Sequence, residues 1–228
     1  MALIYKETKL CDIINNEPSV IPLINRFGIK LGISDFSVAE VCEEHNLDSE
    51  FFLTILNTFI NDGYFPEERF SAFRSVELID YLKKTNDYYR YYQLPNIHRH
   101  FRLLLSQSGE NNNNLHLMLR FFEEVEKDLL GRIDYDSDCW FPAILEAEET
   151  GTAITELSQP EDAIEDKVSD LKNMFIKHLT GDYELNLCYG VIVAIITLEK
   201  DLRQNNRIRT RILSPLTVSL TKNISSKS

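Results

Sequence analysis

The stretch VIVAIITLEKDLRQNNRIRTRI, residues 191–212, decides how the chain is to be read. At 3.6 residues per turn, Val191, Ile195, Leu198, Leu202, Asn205, Arg209 and Ile212 fall on one face, so the segment reads as a long helix with an apolar stripe. Asn205 and Arg209 interrupt that stripe one turn apart. A second segment repeats the pattern: Met118, Phe122, Val125, Leu129, Arg132, Asp136 and Trp140 share a face, with Arg132 and Asp136 again at i and i+4. A third gives Ile164, Val168, Leu171, Phe175 and His178 without such a break, and a further one gives Ile79, Leu82, Asn86 and Tyr89. Four long amphipathic helices imply a bundle, and bundles build sites from polar side chains at such inward positions.

Composition agrees with an all-α fold. The 228 residues are 43% hydrophobic, enough for a real core, and contain only 8 Gly and 7 Pro, too few for the turns of a sandwich or barrel. A formal net charge of -12 argues against a broad phosphate-binding surface, so nucleic acid is disfavoured as a partner. Arg203, Arg207, Arg209 and Arg211 form the strongest basic patch, and at helical spacing they read as a solvated face. Lys6, Glu7 and Lys9 follow the apolar start at once, which is not a secretion signal, and Leu187 to Leu198 is too short to span a bilayer. The expected location is the cytoplasm, with no membrane contact. Cys11, Cys42, Cys139 and Cys188 lack CxxC spacing and are expected to be reduced and mostly buried.

Before Ser71 the pattern is finer. Thr8 can cap a helix from Lys9 to Asn15, Pro18 suits the first turn of one ending at Gly28, and Ser37 with Glu40 spells a capping box. Asp48 caps Ser49 to Asn61, where Phe52, Ile55, Leu56 and Phe59 share a face and Gly63 is the stop. Residues 64–70 read as a connector, and the domain boundary is expected between Asn61 and Ser71. Beyond it, Ser106 to Asn114 and the acidic Glu146 to Asp162 are the loops between long helices; Ser158, Pro160 and Glu161 mark a start, Gly181 a stop, and the last helix runs from about Tyr183 toward Leu220. Pro95, Pro142 and Pro215 are expected to kink or end their helices.

These segments resemble the repair-of-iron-centres family. The anchors are Leu94-Pro95, Phe141-Pro142, Leu198-Glu199-x-Asp201-Leu202 and Ile212-Leu213-x-Pro215, with Phe27-Gly28-Ile29, Ser37-Val38-x-Glu40-x-Cys42 and Asn46-Leu47-Asp48 nearer the start. The resemblance implies a small N-terminal helical domain over residues 1–65 and a hemerythrin-like, up-down four-helix bundle over residues 71–224. Members hold two non-haem irons with His and carboxylate ligands, including His-x-x-x-Glu pairs ahead of the prolines. Counted back from those prolines, the pairs fall here on Arg132 and Asp136 and on Asn205 and Arg209; the remaining His positions fall at Asn86 or Asp87 and near Val168. Arg is permanently cationic and supplies no ligand, so no metal or other cofactor is expected. The family's paired cysteines after Phe27-Gly28-Ile29 are Gly32 and Ile33 here.

The expectation is therefore a metal-free, hemerythrin-like protein that is not an enzyme and acts by partner or ligand binding, in a regulatory role, with another protein or a second copy as its partner. Asn86, Asp87, Arg132, Asp136, Val168, Asn205 and Arg209 are its former metal-site positions, and the polar ones should form a buried network. The alternative is an iron-dependent stress protein, repairing iron-sulfur centres or sensing iron, NO or O2, through ligands drawn from His98, His100, His116 or His178. His98 and His100 point to different helix faces, and His178 reads as a satisfied core histidine. Asp134, Asp136 and Asp138 imitate a calcium loop, but Cys139 takes the place of its Gly and Leu145 that of its Glu. Tyr81, Tyr88, Tyr89, Tyr91 and Tyr92 read as packing that could line a small pocket around Asn86. A nucleic-acid-binding module within Ser37 to Asn61 is opposed by Glu40, Glu43, Glu44, Asp48 and Glu50.

Overall fold

A computed structural model describes residues 3–70, 72–108, 112–151 and 163–214. The described chain is helical, and its only bridge of β type joins Lys9 to Ser37. Short helices come first: α1 (Leu10–Asn16), a 3-10 turn (Pro18–Val20) leading into α2 (Ile21–Arg26), α3 (Val38–Glu44), α4 (Ser49–Ile60) and α5 (Glu67–Phe70). Their ends follow local chemistry. Ser37 accepts from the Glu40 amide while the Glu40 carboxylate accepts from the Ser37 amide and hydroxyl, and the latter two bonds hold that carboxyl below its ordinary pKa. Asp48 caps α4 by accepting from the Phe51 amide, and Gly28 lies at φ +80 just past α2, as a terminator should. His45 is the C-cap of α3. Thr8 caps nothing: α1 begins one residue late, with Lys9 at its N-cap.

Three long rods follow, and the first two continue through Pro95 and Pro142; Pro215 lies outside the described residues. Helix α6 (Ser75–Tyr88) passes through a π-turn at Tyr89–Gln93 into α7 (Leu94–Gln107), and α8 (Asn113–Tyr135) passes through another at Asp136–Trp140 into α9 (Phe141–Thr150). Helix α11 (Leu185–Ile208) runs into a third at Arg209–Leu213, after α10 (Ile164–His178). Pro95 and Pro142 thus end neither rod. A proline ring clashes with the carbonyl four residues back and offers no N–H, and widening the preceding turn relieves both faults. Asn112 caps α8, and Gly151 closes α9 at φ +66. The start at Ser158, Pro160 and Glu161, and the extension toward Leu220, lie outside the described residues.

The chain divides into two compact units, one taking in residues up to Thr85 together with the segment from Asn206, the other spanning Asn86–Asn205. The division falls inside α6 and α11, away from the 61–71 connector. Aromatic packing explains it within the first unit: Tyr81 of α6 stacks on Phe27 at 5.7 Å and meets Phe51 at 6.5 Å, while Phe51 is 5.0 Å from Phe73. The connector belongs to the same unit, since Phe65 stacks on the fully buried Phe70, and Arg207 and Arg211 both lie over the Phe65 ring.

In the second unit, four helical segments feed one apolar core: Ile97, Phe101 and Leu104 from α7; Met118, Phe122, Val125 and Leu129 from α8; Val168, Leu171 and Phe175 from α10; and Val191, Ile195, Leu198 and Leu202 from α11. The apolar stripes read from the sequence are the buried faces of these helices. His178 is the exception, being exposed at the last residue of α10, where the chain leaves the helix.

Candidate functional site

The three π-turns share one register. In each, the amide just past the turn donates to the carbonyl five residues back: Leu94 to Tyr89, Phe141 to Asp136 and Ser214 to Arg209. Proline follows at positions 95, 142 and 215. The residue that opens each widened turn is buried in every case, with Tyr89, Asp136 and Arg209 all shielded from solvent. Isolated π-turns are frequent at functional sites, because the extra residue redirects side chains that a regular helix would not converge.

Within the second unit, these turns are accompanied by buried polar side chains. Asn86, Arg132, Asp136, Asp201 and Asn205 are all shielded, Asp136 completely. The Asn86 amide donates to Asp136 Oδ2 at 3.1 Å, linking α6 to the π-turn after α8. The Asn205 amide donates to the Tyr89 hydroxyl at 3.0 Å, and back along its own helix to the Asp201 carbonyl at 2.7 Å and Asp201 Oδ1 at 3.2 Å. Buried amides and carboxylates persist when hydrogen-bonded, and these bonds engage Asp136 Oδ2 and the amide nitrogens of Asn86 and Asn205, while Asn205 Oδ1 has no hydrogen-bond partner among the described residues. Arg132 is buried one turn ahead of Asp136 on the same helix.

Of the positions expected to form the site, Asn86, Arg132, Asp136, Val168 and Asn205 are buried in this unit, and Arg209 is buried in the first unit. Asp87 is exposed, which corrects its expected place in the buried network. One residue is 100° of helix rotation, so with Asn86 facing inward Asp87 faces out. The second internal carboxylate is Asp201, one turn before Asn205; the i, i+4 spacing between them was the available signal. The tyrosines also divide. Tyr81 and Tyr89 are buried, while Tyr91 and Tyr92 are 63% and 68% exposed and line, with Tyr88, Gln93 and Arg99, a shallow surface groove.

The donor set does not fit iron. Arg132 is cationic, Val168 is apolar, and the Asn205 amide nitrogen is engaged as a donor, leaving Asp136 as the one carboxylate among the buried mapped positions of this unit. The histidines diverge as their spacing predicts: His98 Nδ1 is 3.0 Å from Glu126 Oε2 on α8, whereas His100 Nδ1 lies 3.7 Å from where a side chain at Gly190 of α11 would begin. His116 and His178 are exposed, and among the described residues no group of three or more His, Cys, Asp or Glu side chains could hold a metal. Asp134, Asp136 and Asp138 sit in helix and π-turn, a conformation that cannot wrap calcium.

The cysteines are free thiols, Cys42 and Cys188 buried, Cys11 half-buried and Cys139 exposed. Burial pushes the Cys42 thiol up to about 11 and raises Cys188, so both are poor nucleophiles. The C-terminal arginines are engaged by protein: Arg203 pairs with Glu165, Arg207 donates to the Tyr64 carbonyl, and Arg211 approaches Glu67.

No protein-family model, curated protein or solved structure matches the chain. No helix among the described residues is long and apolar enough to cross a membrane.

Proposed function

We propose that this chain is a metal-free, hemerythrin-like four-helix bundle protein that works by binding a partner in a regulatory role, its former iron position now occupied by protein hydrogen bonds. One observation carries this reading. Asp136, fully buried, accepts from Asn86, one of the positions mapped to a lost histidine, while the position one turn before it is Arg132, a side chain no metal would tolerate. Charge-assisted hydrogen bonds of this kind hold helices together as metal bonds would, and the Asp136 carboxylate lies one turn from the buried Arg132, where it would offset that charge. Two further features support it: four helical segments share one core, and the π-turns ahead of X-Pro recur at equal spacing in three helices. A scaffold retained without its chemistry is suited to recognition.

Metal analysis of the full chain, expressed with ample iron and purified without chelator, tests the reading. The expected result is iron far below one atom per chain and no visible or near-ultraviolet band of a bridged di-iron centre. Two irons per chain with such a band would contradict it.

A further inference from the structure

Helix α11 buries one face in the second unit's core and leaves an apolar stripe on the other. Leu185 is 71% exposed, Tyr189 69%, Val193 40% and Ile196 44%. Lys200 and Arg203 continue the same line, and the steps from Tyr189 through Val193 and Ile196 to Lys200 are four, three and four residues, the spacing of a helix–helix seam. Single exposed apolar residues are ordinary, but a run over three turns of one helix marks an interaction surface.

The order of chemistry along the stripe says what covers it. Asp182 and Glu184 stand at its start, the apolar residues in the middle, and Lys200 and Arg203 at its end. Arg203 is held at that end by Glu165 at 3.2 Å and Glu199 at 3.5 Å. Such a surface is complementary to itself when reversed. With a two-fold axis beside Val193, Tyr189 of one copy meets Ile196 of the other, Leu185 lies along the aliphatic stem of Lys200, and Asp182 faces Arg203. A parallel pairing would instead set like charges against each other at both ends.

We propose that the exposed face of α11 is the seam of an antiparallel homodimer, formed by Leu185, Tyr189, Val193 and Ile196 and set in register by Asp182 and Arg203. This rests on the exposed stripe alone and does not depend on what the buried polar cluster once was, so the metal analysis and the test below fail independently.

Sedimentation velocity of the full chain across a concentration series should show a reversible monomer–dimer equilibrium. Val193→Glu should raise the dissociation constant at least about tenfold, equivalent to 1.4 kcal/mol, with an unchanged helical circular dichroism spectrum. As a second arm, Val193→Cys in a Cys139→Ser background should form an interchain disulfide under mild oxidation, whereas Leu103→Cys, exposed on α7, should not. A chain monomeric at every concentration, including one that leaves the face to a different protein, would overturn the proposal. So would a dimer indifferent to Val193→Glu, or a Val193→Cys protein that links no better than Leu103→Cys.

Discussion

Two regions of the second unit use helices of one set for opposite ends. Around Phe101 the core is entirely apolar: its ring stacks on Phe122 at 5.7 Å and meets Phe175 edge-on at 5.2 Å, with Leu104 and Met118 also buried. Around the first two π-turns polar side chains, Asn86, Arg132, Asp136, Asp201 and Asn205, are buried beside apolar ones such as Leu94, Trp140 and Phe141. The apolar region gains from area removed from water and is tolerant of direction; the polar region gains little net from burial and is exacting about partners. The contrast teaches that a stripe broken at i and i+4 by polar residues marks a place where geometry outranks hydrophobicity.

That contrast can be broken by substitution. Asp136→Ala should have the largest effect, a loss of about 3–5 kcal/mol in urea unfolding, because it removes the acceptor of the Asn86 amide and the carboxylate one turn from the buried Arg132. Leu104→Ala, in the apolar region, should cost about 2–5 kcal/mol through lost transfer energy and a cavity, with its size set by how far Phe101 and its neighbours collapse. Asp48→Ala tests a device outside both regions, the α4 cap that accepts from Phe51, and should cost about 1 kcal/mol. The smallest effect belongs to Asp170→Ala: the residue is exposed on α10, and thermal unfolding should shift by no more than about 0.5 kcal/mol.

What was legible in the sequence was local or periodic. The Ser37–Glu40 capping box, the Asp48 cap and the buried stripes of α8, α10 and α11 follow from spacing alone. The unit division was not legible, since it depends on Tyr81 meeting Phe27 and Phe51, contacts between residues far apart in sequence that no composition shift announces. At Pro95 and Pro142 the form of the expected kink or end was not legible either. Proline's missing N–H forbids a regular turn, yet a π-turn lets the rod continue past Pro95 and Pro142, and the opening residues Tyr89 and Asp136 share no size or type that could have signalled it. At the site, stripe counting identified Asn86, Arg132, Asp136 and Asn205 as inward, but Asp87 was placed in the network although it lies one residue off the face, while the buried carboxylate Asp201, a turn from Asn205, was missed.

The most direct test of the buried network compares Asp136→Ala with Asp136→Ala/Arg132→Met by equilibrium urea unfolding. If Asp136 balances the Arg132 guanidinium, the single change loses about 3–5 kcal/mol, and adding Arg132→Met restores most of it by removing the stranded charge. A double variant as unstable as the sum of its two single changes, or an Asp136→Ala protein as stable as its parent, would contradict the account.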